Sequence, residues 1–182
     1  MFPFADRAGG RKEPDRAVDA RWAERKTVWS NSPAWRYLRR HRGLSPAIIE
    51  AASVAGVLRE GPAGSAWFAH FDHAGSVEHV DVRGPAYKGS LTGGIKSLSR
   101  LPFKGFPLPR LVLTEAAIDA LSLATLESLR SDTLYAATGG GMGPGTIAAL
   151  ETLLVDIAKF PDALFCSATD ANGPGCSYSV IC

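Results

Sequence analysis

Leu111-Val112-Leu113-Thr114-Glu115-Ala116-Ala117-Ile118-Asp119-Ala120-Leu121 and Ala163-Leu164-Phe165-Cys166-Ser167-Ala168-Thr169-Asp170-Ala171-Asn172-Gly173-Pro174-Gly175 repeat one pattern, a short apolar run closed by an acidic residue. Runs of this length between turn signals predict buried strands of a parallel sheet. In an open α/β sheet, residues just past the carboxyl ends of the strands share one edge, where ligands bind. Glu115 and Asp170 are therefore expected to converge there, and clustered oxygen ligands suit Mg²⁺.

Between these two stretches the period changes twice. A helix is predicted from about Ala116 to Leu129, then a strand over Thr133–Ala137, then the loop Thr138-Gly139-Gly140-Gly141-Met142-Gly143-Pro144-Gly145. A second helix follows, with Ile147, Leu150, Leu154 and Ile157 on one stripe, ending before Pro161. Strand, helix, strand, helix, strand implies parallel pairing through right-handed crossovers. The glycine loop fits no dinucleotide fingerprint, because Pro144 stands where the third glycine belongs. A P-loop lysine is missing as well, since Thr146 follows Gly145. The free N–H groups of Gly140, Gly141 and Gly143 ahead of a helix still offer weak phosphate contact, against the plainer role of a tight turn.

Residues 1–30 read as a flexible basic arm with a short helix around Ala17–Lys26. Ser32-Pro33 and Ser45-Pro46 each give an N-cap with proline at the first helical position, and Gly43 and Gly56 are the stops. The first of these helices turns Trp35 and Leu38 inward and Arg36, Arg39, Arg40 and Arg42 outward. Trp67–Phe71 and Val77–Val82 flank the turn Asp72-His73-Ala74-Gly75 and predict a β-hairpin. The stretch from Arg83 to Lys104 is rich in glycine and cations, and Pro102, Pro107 and Pro109 stiffen it into a connector. The expected organisation is a basic arm (1–30), an α+β module with two helices and a hairpin (31–107), and an α/β sheet domain (108–182).

The composition, 46% apolar and 21% charged over 182 residues, belongs to a globular protein. No apolar stretch reaches the roughly 18 residues of a membrane span. With no signal-peptide pattern at Met1–Asp6, a cytoplasmic location without membrane attachment is expected. Cys166, Cys176 and Cys182 form no Cys-x-x-Cys pair, which argues against a zinc knuckle or a disulfide framework. Net charge is +2, yet residues 1–110 hold 18 Lys and Arg against 10 Asp and Glu, while residues 111–182 hold 2 against 8. A basic front half suits a polyanion and an acidic back half suits a metal.

Glu-x-x-x-Asp-Ala-Leu after one strand, a glycine loop after the next and Asp-x-Asn-x-x-Gly after the third resemble a Toprim domain, the metal-binding fold shared by topoisomerases, DnaG-type primases and related nucleases. Tyr37-Leu38-Arg39-Arg40-His41-Arg42-Gly43-Leu44-Ser45 together with Arg83-Gly84 resembles the domain of unknown function that precedes Toprim in many plasmid- and phage-borne bacterial proteins. The resemblance covers about residues 30–175. It implies an incomplete Rossmann-like parallel sheet. Glu115 matches the family's invariant glutamate, a general acid/base or metal ligand. Asp170 matches the first aspartate of the family's Asp-x-Asp, and Asn172 stands in place of the second. Asp119, one turn beyond Glu115, joins the expected metal set. The implied cofactor is Mg²⁺, with Mn²⁺ as an alternative, and the implied function is primase-, nickase- or topoisomerase-like phosphoryl transfer in plasmid or phage replication or mobilisation. Tyr135 and Tyr178 are poor candidates for a topoisomerase-type nucleophile.

The expected partner is nucleic acid, single-stranded DNA above all, alongside replication or mobilisation proteins. Arg36, Arg39, Arg40, Arg42, Arg83, Lys88 and Lys96 are the candidate phosphate contacts. Trp35, Tyr37, Trp67 and Tyr87 are expected in the core more than stacked on bases. His70 and His79 face each other across the hairpin as half-exposed strand positions, and no cysteine or acidic cluster is apparent beside them, or beside His41 and His73, to make a zinc site. The uncharged tail Cys176–Cys182 is too short for the helix and strand that follow in the family, so a shortened domain is expected. A catalytically silent DNA-binding accessory protein is the alternative function, and a nucleotide-binding regulator using Gly139–Gly145 ranks third.

Overall fold

The computed structural model describes residues 17–72, 74–101 and 107–169. Its helices and its longer strands follow the local signals. Helix α1 spans Val18–Ala23, and the two-residue strand β1 is Lys26–Thr27. Ser32 accepts a hydrogen bond from the Trp35 N–H (3.2 Å) and caps α2, Pro33–Arg36, which widens into a π-helical turn over Tyr37–His41. Gly43, at φ +72°, stops it, a conformation that glycine adopts without steric penalty. Ser45 caps α3, Pro46–Val54, through the Ile48 N–H in the same way.

Next come β2 (Leu58–Glu60), a 3₁₀ turn at Pro62–Gly64, β3 (Ala66–Phe71), β4 (Val77–Arg83) and β5 (Lys88–Ser90). With β1 they form an antiparallel sheet in chain order. The predicted hairpin is β3–β4, with His70 opposite His79 and Phe68 opposite Asp81.

The second sheet has the order β6-β8-β7-β9, where β6 is Ser99–Leu101, β7 Arg110–Thr114, β8 Thr133–Ala137 and β9 Leu164–Ser167. Strands β8, β7 and β9 are parallel, joined through α4 (Ala117–Leu126) and α5 (Pro144–Ile157). Strand β6, from the stretch read as a connector, pairs antiparallel with β8. The fold is thus mixed α/β, an antiparallel sheet beside a mainly parallel one.

The period of two along β7 and β8 sorts their side chains onto two layers. Leu111, Leu113, Leu134 and Ala136 pack with Leu150, Leu153 and Ile157 of α5. Val112, Tyr135 and Ala137 face the other way, with Ile118, Leu121 and Ala124 of α4, in a cluster that continues through Leu38, Ile49, Phe68 and Val80 of the first sheet and its helices. Both faces of β7 and β8 are therefore covered, as inner parallel strands require, whereas the edge strand β9 is exposed or half-buried along its length. Arg110 at the start of β7 makes two 2.8 Å bonds to the Glu127 carboxylate beyond α4, and the Tyr135 hydroxyl donates to the same carboxylate at 2.7 Å. This polar clamp ties β7, α4 and β8 together. No helix among the described residues is long and apolar enough to cross a membrane.

Candidate functional site

Parallel pairing of β7 with β8 and β9 sends all three strands out at one edge. Thr114 pairs with Ala137 at the last rung, so Glu115 and Thr138 emerge side by side. The Thr138 hydroxyl and the Gly140 N–H both donate to the Glu115 carbonyl, at 3.3 and 2.9 Å. Glu115 is half-buried and lies ahead of the α4 N-cap, Ala116. Asp119 is exposed in the first turn, where the positive end of the helix dipole favours a carboxylate. Strand β9 pairs with β7 up to Ser167 opposite Leu113. Asp170, Asn172 and Gly175, with the rest of the tail, lie outside the described residues.

The loop after β8 carries three consecutive glycines at positive φ, Gly139 (+69°), Gly140 (+85°) and Gly141 (+148°). Gly143 is the N-cap of α5. The loop packs on the hairpin. The Lys96 ammonium donates to the Gly139 carbonyl at 2.8 Å, and a Cβ on Gly139 would stand 2.5 Å from Asp81 Oδ2 and 3.1 Å from the His70 ring. Lys96 is half-buried, and burial pushes its pKa down.

Beneath Gly139 lies a buried polar cluster. His70, His79 and Asp81 are 0%, 6% and 3% exposed, whereas half-exposed strand positions were expected of the two histidines. His70 Nε2 is 3.3 Å from Asp81 Oδ2 and His79 Nε2 is 3.7 Å from Oδ1. The Arg83 guanidinium, also buried, lies 3.9 Å from Oδ2 and donates to the Val82 and Gly89 carbonyls. Burial pushes the Asp81 carboxyl up, but the hydrogen bond with His70, the His79 ring close by and the charges of His70 and Arg83 more than offset it and hold it well below the usual carboxylate range. Burial likewise lowers His70, against the pull of Asp81. Asp81 escaped the sequence reading, although His79-Val80-Asp81 puts both side chains on one strand face opposite His70.

The candidate nucleic-acid contacts divide into two groups. Arg36, Arg39, Arg40 and Arg42 are exposed around the π-helical turn. Arg42, Arg83 and Lys88 line a cleft of about 750 Å³ with Tyr37, Tyr87 and Asp119, between the first sheet and α4. Lys96 sits apart, at the glycine loop. Tyr37 and Trp67 are buried, whereas Tyr87 is 56% exposed.

Residues 36–105 match a family described as a protein of unknown function, DUF3991, which spans under half of the chain. No curated protein matches by sequence. Among solved structures, the DnaG primase catalytic domain bound to ssDNA is similar over 90% of this chain and 62% of its own, with 16% identity and a TM-score of 0.53. The RNA polymerase domain of Mycobacterium tuberculosis primase DnaG is similar over 88% of this chain and 67% of its own, with 17% identity and a TM-score of 0.50. The primase fragment of the bacteriophage T7 primase-helicase aligns with 19% identity and a TM-score of 0.47, and the chain spans 62% of its length. The two DnaG likenesses establish the fold that this chain shares with primase catalytic domains.

Proposed function

We propose that the chain is a Toprim-type unit that processes single-stranded nucleic acid with Mg²⁺, by primase- or nickase-like phosphoryl transfer in plasmid or phage replication or mobilisation. The observation that carries this reading is the shared edge of β7 and β8, where the Glu115 backbone is hydrogen-bonded to the glycine loop and a lysine closes over it. Strand β9 leaves its pairing at the same edge, and in this reading Asp170 and Asn172 complete the site.

The donors fit the ion. Glu115, Asp119, Asp170 and Asn172 offer only hard oxygen atoms, the set that Mg²⁺ prefers. Mg²⁺ held there supplies charge neutralisation on a phosphate and at the attacked or leaving oxygen. Glu115 handles the proton of the attacking group. Asn172 keeps an oxygen but brings no charge, so substrate phosphates are needed to complete the shell. The cleft bordered by Arg42, Arg83 and Lys88 runs to Asp119 and guides the phosphate backbone toward the acidic edge. Of the two expected units, the front one (31–107) supplies the cations and the back one (108–182) the carboxylates.

The test is incubation of the full chain with labelled single-stranded DNA and Mg²⁺ or Mn²⁺, with and without nucleotides, beside Glu115→Gln. Metal-dependent cleavage or extension lost in Glu115→Gln supports the proposal. Binding unaccompanied by any processing supports the accessory reading instead.

A further inference from the structure

We propose a second metal site, distinct from the acidic edge, in which His70, His79 and Asp81 bind a borderline divalent transition ion of the Zn²⁺ class inside the hairpin. The three ligand atoms lie within 4.8 Å of one another, and all three residues are buried. Zn²⁺ holds each ligand at about 2.0–2.2 Å, which separates tetrahedral neighbours by roughly 3.3–3.6 Å. His70 Nε2 lies 3.3 Å from Asp81 Oδ2 and His79 Nε2 3.7 Å from Oδ1, so the ligand set, spanning up to 4.8 Å, needs to close by about 1 Å to reach that spacing.

A second observation is independent of the spacing. Neither ring nitrogen of His79 has a hydrogen-bond partner among the described residues, although the side chain is 8% exposed. A buried polar atom left unpaired is destabilising, and an ion between His79 and Asp81 would satisfy one of them. The register supports the same geometry, because His70 stands directly opposite His79 and Asp81 follows on the same strand face.

Ion choice follows from the surroundings. Arg83 and Lys96 place positive charge beside Asp81, so a hard ion held by charge alone is disfavoured. Imidazole nitrogen favours Zn²⁺, Co²⁺ or Ni²⁺ over Mg²⁺. Three protein donors leave one position for a water or another oxygen. Gly139 lies over this side of the cluster, so the ion would brace the hairpin under the glycine loop. The site is independent of the proposed Mg²⁺ chemistry.

Co²⁺ absorption spectroscopy on the full chain, stripped with a chelator, tests the site. A variant with Cys166, Cys176 and Cys182 all changed to Ser is run in parallel to remove thiolate ligands. One Co²⁺ per chain, with visible ligand-field bands retained in the cysteine variant and in Glu115→Gln but lost in His79→Gln, is the expected result. Circular dichroism of His79→Gln confirms that the loss is not unfolding. Should His79→Gln not fold, X-ray absorption on the Zn²⁺-loaded cysteine-free chain replaces it, with two imidazoles expected among the ligands. Failure of the cysteine-free chain to take up stoichiometric Co²⁺ overturns the proposal. Loss of the bands in Glu115→Gln with retention in His79→Gln also overturns it, by moving the ion to the acidic edge.

Discussion

Gly139 and Asp81 touch across the two sheets so closely that a Cβ on the glycine would lie 2.5 Å from the aspartate Oδ2. The contact joins the loop after β8 to the hairpin, and φ at Gly139 is +69°. Gly139→Ala therefore meets both a strained backbone and a buried carboxylate that is held by His70. The expected loss of stability is about 2–4 kcal/mol. Gly140→Ala, at φ +85° but with open space around it, should lose only about 1 kcal/mol from the backbone. Urea denaturation of the two variants checks the difference, and equal losses would show that the contact with Asp81 is unimportant.

Glu127 gives the fold an acid-sensitive clamp. Hydrogen bonds from Arg110 lower its pKa from 4.5, against partial burial, and Tyr135 adds to the effect. A carboxylate lowered in the folded state contributes stability that is full above the unfolded value and lost as pH falls below it. Wild-type stability should thus drop as pH falls below 4.5, and Glu127→Gln should show a shallower drop there. At neutral pH the variant should be less stable by about 1–2 kcal/mol, since the pair is bidentate and partly shielded. Thermal melts across this range decide the matter.

Most of the second sheet was legible because its strands are apolar runs between glycine or proline signals. The serine caps of α2 and α3 are local chemistry and were equally readable. On α5, Leu150 and Ile157 of the expected stripe are buried, but Thr146 and Leu153 complete the buried face in place of Ile147 and Leu154, which are only partly buried. Strand β6 was not legible, because Ser99-Arg100-Leu101 has no apolar run and gains its identity only by pairing with β8. His70 and His79 read as the solvent side of a hairpin, since alternation of polar and apolar residues normally marks a half-exposed strand, and Asp81 was passed over. In the fold all six residues of β3 are buried, and the glycine loop lies against the polar face of the hairpin. That coverage comes from residues some 60 positions away, beyond the reach of any local pattern. Glu115 was singled out because it follows a strand, whereas its backbone hydrogen bond from Gly140 needed the pairing of β7 and β8.

Arg39, Arg40 and Arg42 are exposed on one turn, and in the proposed function they meet phosphates. Replacing all three with alanine should lower the slope of log affinity against log salt by about 2 for single-stranded DNA, at roughly 0.7 per phosphate contact. Fluorescence anisotropy over a salt series measures the slope. An unchanged slope would remove this turn from the interface.

In the proposed function Asn172 takes the place of a second anionic ligand for Mg²⁺. Asn172→Asp should tighten the ion by about an order of magnitude, as added ligand charge does in oxygen sites. Calorimetric titration of both chains with Mg²⁺ gives the comparison directly, and equal affinities would take residue 172 out of the ligand set.

In the proposed function a divalent ion is held by Glu115 and Asp170. Mn²⁺ titration of the full chain, with the free ion counted by electron paramagnetic resonance in the presence of single-stranded DNA, tests it most directly. The account predicts saturable binding that weakens by about tenfold or more in Glu115→Gln and in Asp170→Ala, as the loss of one charged ligand from a small oxygen set demands. It predicts no such weakening in His79→Gln. Equal Mn²⁺ affinity in wild type, Glu115→Gln and Asp170→Ala would contradict it.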